Sequence, residues 1–342
     1  MPLSTGAASF PRGAAPFFLR SRTPERRAHA LSDCVGRPQS LLMPPNTRSR
    51  GSAATPDRAA TARQQTVYHS RMKSIYRLAV DRLRKQYLHL QDAAIQRGLL
   101  RGQRDYVRFV IVCRSRVGSN MLSSYLNSHP GIVVKDEIFS FRRVQEPGSL
   151  AAAQPIEYLE REAFCAYPSK IEAVGFKLFY THGRHKNAEG VSIWDHLLAD
   201  RRIKIIHLVR RNVLRSHLSE AIAFRTSKWT QSGQINAVKT EDKRATLDFD
   251  KCRDDFERTE RWQRDTHDFF SGHDMLDVSY EDLSADPAAV LNRIQSFLGV
   301  HPRNLSSFHS KQNPEQLREL IANYADLKAR FAGTPWQGFF ED

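Results

Sequence analysis

Apolar residues beyond position 105 fall into two patterns that alternate along the chain. Short, mostly apolar segments predict strands near 107–113, 132–135, 173–179, 203–209 and 274–279, and the continuous apolar run of the first of them predicts a strand that is buried on both faces. Segments whose apolar residues recur every three to four positions predict helices, near 118–128, 192–199, 212–224, 251–271, 286–298 and 314–330. This alternation predicts an α/β fold, in which helices flank a central parallel sheet and ligands bind at the carboxyl ends of the strands.

The first strand runs into a basic turn and then into a helix, in the sequence VRFVIVCRSRVGSN at 107–120. A helix N-terminus attracts anions through its free N–H groups and the positive end of its dipole. The usual phosphate loop, G-x-x-x-x-G-K-[ST], has a lysine and a second glycine that this turn lacks. From the alternation of strands and helices we expect a P-loop-like three-layer sandwich. Because the turn departs from the usual phosphate loop, we expect it to bind a phosphate or sulfate without a metal. The residues expected around the anion are Arg114, Arg116, Gly118, Ser119 and Asn120.

A second strand–helix unit spans 204–224, with Asn212 as the expected N-cap of its helix. The apolar residues Leu214, Leu218 and Ile222 recur every four positions, and we expect them to pack on the sheet. Three polar residues recur at the same interval beside them. They could flank a phosphate that lies along the first turns of the helix: Arg211, Arg215 and Ser219.

The two units, R-x-G-S after the first strand and R-N-x(6)-S after the fourth, resemble those of sulfotransferases that use 3′-phosphoadenosine 5′-phosphosulfate (PAPS). The segment NSHPGIVVKDEIFS at Asn127–Ser140 is similar to one in bacterial carbohydrate sulfotransferases, and VSYEDLSADPAAVLNRIQSFLGV at Val278–Val300 to one found widely in the family. The tail KQNPEQLRELIANYADL resembles the branch that includes the nodulation-factor and lipopolysaccharide sulfotransferases. The resemblance covers 106–342.

This resemblance implies a role for each matching residue. Arg116, Gly118, Ser119 and Asn120 would hold the 5′-phosphosulfate, and Arg211 and Ser219 would bind the 3′-phosphate. Tyr280 would lie near the adenine, and Glu137 would be the base that takes the proton of the acceptor hydroxyl. The loop departs from the family pattern P-R-S-G-T-[TS], because Ser115, Val117 and Asn120 replace the proline, the serine and the last hydroxyl residue.

Lys177 lies within AVGFKLFY, an expected interior strand, where an ammonium group without a partner would be costly. We expect it to face an anion or to stabilise the leaving oxygen. Sulfuryl transfer depends mainly on positioning and electrostatic stabilisation, so cationic side chains and N–H groups can replace a metal. The histidines are too scattered to predict a metal site: His129, His182, His185, His207 and His217.

Two other functions remain open from the sequence: a nucleotide-dependent kinase of related fold, and a relative that binds anions without catalysis. The formal net charge of +15 indicates anionic partners. Zinc-finger spacing and a stripe of alternating aromatic and basic residues are both absent from the sequence, which argues against nucleic-acid binding. The expected partner is a hydroxyl acceptor, either a saccharide or a glycolipid.

The chain divides into three predicted parts. Residues 1–70 are rich in Ala, Arg, Pro and Ser and predict a disordered leader; a start codon assigned upstream of Met72 explains it as well as organelle targeting does. Residues 71–104 predict an amphipathic helical extension that packs on the core or on a second copy in a homodimer, or lies on a membrane surface. Residues 105–342 form the expected sulfotransferase domain, with 225–250 as an acceptor-side lid. Four scattered cysteines indicate a reducing, cytoplasmic setting.

Overall fold

The structure is a computed structural model that describes residues 79–227, 229, 240–309 and 313–341, with gaps at 81, 82, 85, 88, 89, 92 and 96. The predicted leader 1–70 lies outside the described residues, as do residues 71–78 of the extension and residues 228 and 230–239 of the expected lid. The fold below therefore concerns the expected sulfotransferase domain and the end of the extension.

Five parallel strands form one sheet in the order β2-β3-β1-β4-β5. All five coincide closely with the apolar runs of the sequence: β1 (Val107–Cys113), β2 (Ile132–Lys135), β3 (Ala173–Phe179), β4 (Lys204–Val209) and β5 (Met275–Ser279). The central position of β1 brings its carboxyl end beside those of β3 and β4. The loop that follows β1 therefore lies in the middle of the ligand-binding edge expected for such a sheet.

Helices cover both faces of the sheet and continue into a C-terminal layer. In chain order they are α1 (Ser119–Asn127), α2 (Phe141–Gln145), α3 (Leu150–Ala153), α4 (Pro155–Glu162), α5 (Ile193–Ala199), α6 (Val213–Thr226), α7 (Thr240–Lys243), α8 (Phe249–Phe269), α9 (Tyr280–Ala285), α10 (Pro287–Leu298), α11 (Leu317–Leu320), α12 (Tyr324–Arg330) and a 3₁₀ turn at Gln337–Phe340. The fold is the predicted three-layer α/β sandwich. The short helices α2–α4 were not predicted.

Side chains of β1 alternate between two apolar cores. Phe109 and Ile111 pack in a cluster with residues of α1 and α10, while Val110 and Val112 pack in a cluster with residues of α4 and α5. All four side chains are fully buried. This is the arrangement that the unbroken apolar run predicts for a strand covered on both faces.

The apolar stripe of α6 packs differently from the prediction. Leu214, Leu218 and Ile222 are buried, but in a third cluster with α8 and the C-terminal helices and not on the sheet. The predicted N-cap is correct, since the side chain of Asn212 accepts a hydrogen bond from the N–H of Arg215 at 3.0 Å. The helix thus has the expected start but a different packing partner.

The helix predicted over 314–330 is interrupted. Between α11 and α12 the backbone of Ile321 is extended and forms a bridge with Ala245. The N–H of Ala245 donates to the carbonyl of Leu320 at 2.8 Å, and the N–H of Ala322 donates to the carbonyl of Ala245 at 2.9 Å. These long-range hydrogen bonds replace helical ones, which a local periodicity does not anticipate.

The described residues between 79 and 95 are helical, in agreement with the predicted extension. Arg84 attaches this helix to the domain by donating to the carbonyl of Ile132 at 2.9 Å. Its apolar stripe is exposed: Val80, Leu83, Tyr87 and Leu90. Within the part of the chain that the structure describes, none of the helices combines the length and the apolar character that crossing a membrane requires.

Candidate functional site

A cavity of about 350 Å³ lies at the carboxyl ends of the central strands. Its volume is within the usual range for sites of small molecules. Most of its lining residues come from the loop after β1 and the start of α1, from α6 and the preceding turn, and from the segment before α11. The residues are Ser115, Arg116, Gly118, Ser119, Asn120, Met121, Glu137, Phe179, Arg210, Arg215, Leu218, Ser219, Trp229, Tyr280, His309, Asn313 and Leu320.

The loop between β1 and α1 has an unusual backbone. Both Arg116 (φ 66°) and Gly118 (φ 86°) adopt left-handed conformations, and Gly118 is the N-cap of α1 without a capping side chain. A Cβ at Gly118 would lie 2.5 Å from the ring of Tyr280, so a side chain does not fit there. Ser119 and Asn120, at the start of α1, line the cavity, so an anion bound there would lie close to the N-terminus of this helix.

Arg116 and Ser219 join the two strand–helix units across the cavity. The Nε of Arg116 donates to the Oγ of Ser219 at 3.0 Å, and its Nη1 donates to the carbonyl of Trp229 at 2.6 Å. Burial lowers the pKa of the Arg116 guanidinium from its ordinary value. Because burial penalises the positive charge of Arg116, an anion bound beside the guanidinium would offset this cost.

Arg215, the second cation of α6, also lines the cavity. Its Nη1 donates to the carbonyl of Glu315 at 3.1 Å, which joins α6 to the C-terminal segment. Asn313 of that segment donates from Nδ2 to the Oγ of Ser219 at 3.3 Å. The segment that contains Asn313 and Glu315 therefore forms part of the cavity wall, next to the two strand–helix units that the motifs mark.

The structure places Arg210 in the cavity, whereas the sequence pointed to Arg211. Arg210 is buried, its guanidinium lies 4.4 Å from the ring centre of Tyr280, and burial lowers its pKa. Its buried Nε has no hydrogen-bond partner among the described residues. Such an unsatisfied charged donor is unusual in a protein interior.

Arg211 has other partners. Its guanidinium forms two hydrogen bonds with the carboxylate of Asp282, at 2.9 and 3.1 Å, and its side chain is 60% exposed. The expectation for Arg211 assumed a helical interval to Arg215 and Ser219, but α6 begins only at Val213. Arg211 therefore lies before the helix and does not share the face of the other two.

Lys177 is buried at the end of β3 and faces three polar side chains, as expected for an interior ammonium. Its Nζ donates to the Oδ1 of Asn120 at 2.5 Å and lies 3.2 Å from the Oε1 of Glu137. It also forms an ion pair with Asp136, at 3.3 Å. The predicted base, the predicted cation and the start of α1 thus meet at one end of the cavity.

Arg114 points away from the cavity, although its position after β1 suggested anion binding. Its Nη1 donates to the Oδ2 of Asp255 at 3.0 Å and to the Oγ1 of Thr259 at 2.7 Å, and its Nη2 donates to Glu220 at 3.3 Å. These contacts join β1 to α6 and α8. Because Arg114 bonds side chains of α6 and α8, its role is to hold these helices to β1.

Sequence reasoning missed several residues of the cavity wall. Trp229, His309 and Asn313 lie in segments without periodicity, and no local pattern marks them. Arg210 could have been found, because it directly follows the apolar run of β4 and precedes the predicted N-cap by two positions. The site is a cavity lined by three arginines and one glutamate, at the edge of a parallel sheet.

Comparisons with known proteins agree on one class of protein. Residues 201–303, which include β4, α6 and α10, match a family model described as "Sulfotransferase family". Nodulation protein H of Rhizobium tropici is 27% identical over 242 residues, which cover 68% of this chain and 92% of that protein. Nodulation protein H of Rhizobium meliloti (strain 1021) is 24% identical over 239 residues, with 68% and 94% covered. The crystal structure of a sulfotransferase from Alicyclobacillus acidocaldarius has 18% identity and a TM-score of 0.42, with 68% and 94% covered.

The matched segment contains the second strand–helix unit, and the relatives match about two thirds of the chain. Residues 201–303 are thus similar to the sulfotransferase family, and the chain is similar to nodulation protein H. This confirms the family resemblance of the sequence motifs, and the kinase alternative is not supported.

Proposed function

We propose that this sulfotransferase moves the sulfuryl group of PAPS to a hydroxyl of a carbohydrate or glycolipid. One observation carries the proposal: the cavity unites the guanidinium groups of Arg116, Arg210 and Arg215 with a carboxylate, that of Glu137. A donor with phosphate at both ends of its adenosine needs cations along its whole length. An acceptor hydroxyl needs a base at one end only.

The lining of the cavity offers partners for both charged groups of the donor. Arg116, Ser119 and the N–H groups of α1 bind the 5′-phosphosulfate together with Gly118 and Asn120. Arg210, Arg215 and Ser219 bind the 3′-phosphate, with Arg211 as an outer cation. Tyr280 lies beside the adenine. Each charged hydrogen bond contributes about 1.5–3 kcal/mol.

Transfer proceeds in line. The acceptor oxygen bonds to sulfur while its proton passes to Glu137, and the bond between sulfur and the bridging phosphate oxygen breaks. Lys177 and the N–H groups of α1 stabilise the negative charge that develops on that leaving oxygen. The guanidinium groups supply the charge that a metal supplies in phosphoryl transfer, so the step needs no metal.

Other features of the chain indicate the type of acceptor and the cellular compartment. Similarity to nodulation protein H and to the carbohydrate branch favours a saccharide, and Trp229 offers an aromatic face at the cavity. Cys113 and Cys252 are buried free thiols, which favours the cytoplasm. The exposed stripe of the extension supports contact with a membrane surface or with a second copy.

Transfer of label from radiolabelled PAPS to a panel of oligosaccharides and glycolipids, in EDTA, tests this function. We expect a labelled saccharide product with PAPS and no phosphorylated product with ATP. A donor that binds but is not consumed with any hydroxyl acceptor would instead indicate the non-catalytic alternative. Activity that requires magnesium and ATP would contradict the proposal outright.

A further inference from the structure

Three side chains outside the cavity form a group with the composition of a transition-metal site. They are His207 on β4, His267 on α8 and Asp277 on β5, and their ligand atoms all lie within 4.8 Å of one another. The Oδ1 of Asp277 lies 3.0 Å from the Nδ1 of His207 and 3.1 Å from the Nε2 of His267. None of the three residues lines the cavity.

A tetrahedral ion requires ligand atoms slightly farther apart than these hydrogen-bonded pairs. Zinc bonds of about 2.0–2.2 Å to nitrogen and oxygen place neighbouring ligand atoms about 3.3–3.6 Å apart. The two separations from Asp277 are 3.0 and 3.1 Å, and all three ligand atoms lie within 4.8 Å of one another. An ion bound here would replace the two hydrogen bonds after small shifts of the side chains.

The fold holds two of the ligands in register. His207 and Asp277 are paired neighbours on adjacent parallel strands, so both side chains leave the same face of the sheet. His207 is buried, and its Nε2 lies 2.7 Å from the hydroxyl oxygen of Tyr180. Histidine ligands of metals usually bond a partner through the second ring nitrogen, which fixes the tautomer. Tyr180 leaves Nδ1 as the nitrogen that faces Asp277.

We propose that His207, His267 and Asp277 bind one Zn²⁺ or a similar transition-metal ion. Two imidazole nitrogens and one carboxylate oxygen suit zinc, whereas Mg²⁺ and Ca²⁺ prefer oxygen ligands only. The side chains of His267 and Asp277 are half-exposed, at 48% and 57%, so an ion can enter from solvent and water can complete its coordination.

The position of the site gives the ion a structural role near the donor cavity. His207 precedes Arg210 by three residues, and Asp277 precedes Tyr280 by three. An ion bound there would tie α8 to β4 and β5, the two strands that lead into these cavity residues. The site was not apparent from the sequence, because His207 lies sixty positions before His267 and the three ligands belong to three different elements.

Metal binding can be measured on the full chain, without a histidine tag and after treatment with a chelator that is then removed. Zn²⁺ and Co²⁺ are each titrated by calorimetry, and Co²⁺ also by absorption spectroscopy. We expect one ion per chain, visible absorption bands of tetrahedral Co²⁺, and a higher melting temperature with Zn²⁺. Mg²⁺ and Ca²⁺ should give no such response.

Variants separate the site from other imidazole–carboxylate pairs. His267→Ala and Asp277→Asn should each weaken Zn²⁺ binding at least about tenfold, or 1.4 kcal/mol, and abolish the cobalt bands. His301→Ala is the matched control, since His301 pairs only with Glu172, at 2.9 Å, and it should bind Zn²⁺ like the wild type. Both test residues are half-exposed, so the variants should remain folded.

Two results would overturn the inference. One is the absence of Zn²⁺ binding in the wild-type chain, which would leave a hydrogen-bonded His–Asp–His group only. The other is binding that His267→Ala and Asp277→Asn do not weaken relative to His301→Ala. Neither result bears on sulfuryl transfer, because the three ligands lie outside the cavity.

Discussion

The ammonium group of Lys177 lies on a strand whose other side chains are mostly apolar, and it has an acceptor on each side. Asn120 receives one hydrogen bond from it through Oδ1, which turns the Asn120 amide nitrogen away from Lys177. Glu137 receives another and reaches the cavity. A single buried cation therefore orients both the expected base and a residue of the anion loop.

Glu137→Gln tests the base. The amide keeps the shape of the side chain and can still accept from Lys177, but it cannot take a proton. We expect kcat for sulfuryl transfer to fall by about 10²–10⁴-fold, the usual contribution of a general base. The affinity for adenosine 3′,5′-bisphosphate, measured by calorimetry, should stay near that of the wild type.

Asp136→Asn is the matched control for this variant. Asp136 lies as close to Lys177 as Glu137 does, at 3.3 Å, but its side chain is 78% exposed and does not line the cavity. Its kcat should remain near that of the wild type. If both variants lose activity equally, Lys177 needs both carboxylates and the role of Glu137 as base is not supported.

The loop between β1 and α1 is the element on which the anion site depends. Gly118→Ala would force a side chain into a left-handed conformation and against the ring of Tyr280. Strain of this kind costs about 1–3 kcal/mol. We expect a lower free energy of unfolding in urea and weaker binding of adenosine 3′,5′-bisphosphate, because the N–H groups of α1 shift.

Gly148→Ala is the control that separates the effect of backbone strain from that of the steric contact with Tyr280. Gly148 also has a positive φ, of 71°, but a Cβ there would meet no atom within 4 Å. It should lower the free energy of unfolding by about 1–2 kcal/mol and leave nucleotide binding unchanged. Equal effects of the two variants on binding would show that the contact with Tyr280 is unimportant.

Helix α8 is joined to β1 by the buried pair of Asp255 and Arg114. Burial alone would raise the pKa of Asp255, but the hydrogen bond with His217 and the charges of Arg114 and Arg258 outweigh it and hold the pKa well below its ordinary value. A carboxyl with a depressed pKa stabilises the folded state above its unfolded value of about 3.9. That stabilisation is lost as the pH falls further.

Asp255→Asn should therefore lower the free energy of unfolding at pH 7 by about 3–5 kcal/mol, because a buried guanidinium loses its anion. It should also reduce the fall in stability between pH 6 and pH 3, measured by urea unfolding at a series of pH values. Asp250→Asn on the same helix is the control. Its partner Arg253 is at the surface, and exposed pairs contribute about 0–1 kcal/mol.

The sequence predicted those strands and helices of the fold that depend on local periodicity. All five strands were predicted, β1 to β4 from buried runs of mostly apolar residues, and α10 was predicted with its N-cap because Asp286 precedes Pro287. The break at Ile321 was not predicted, since its hydrogen-bond partner Ala245 is more than seventy positions away.

The same limit applies to the site. Residues of the loop after β1 were expected from a motif and do line the cavity, apart from Arg114. The choice between Arg210 and Arg211 depends on where β4 ends and α6 begins, to within one residue. Element boundaries are the least certain part of a sequence-based prediction, so the sequence could not settle which arginine faces the ligand.

Calorimetry with adenosine 3′,5′-bisphosphate and 5′-AMP, in EDTA, tests most directly whether the cavity binds the two ends of one donor. We predict that the wild-type chain prefers the bisphosphate at least about tenfold, or 1.4 kcal/mol, that Arg210→Ala removes this preference, and that Arg211→Ala retains most of it. Equal affinity of the wild-type chain for the two nucleotides would contradict the account. If the preference for the bisphosphate depends on Arg211 alone, the 3′-phosphate binds outside the cavity.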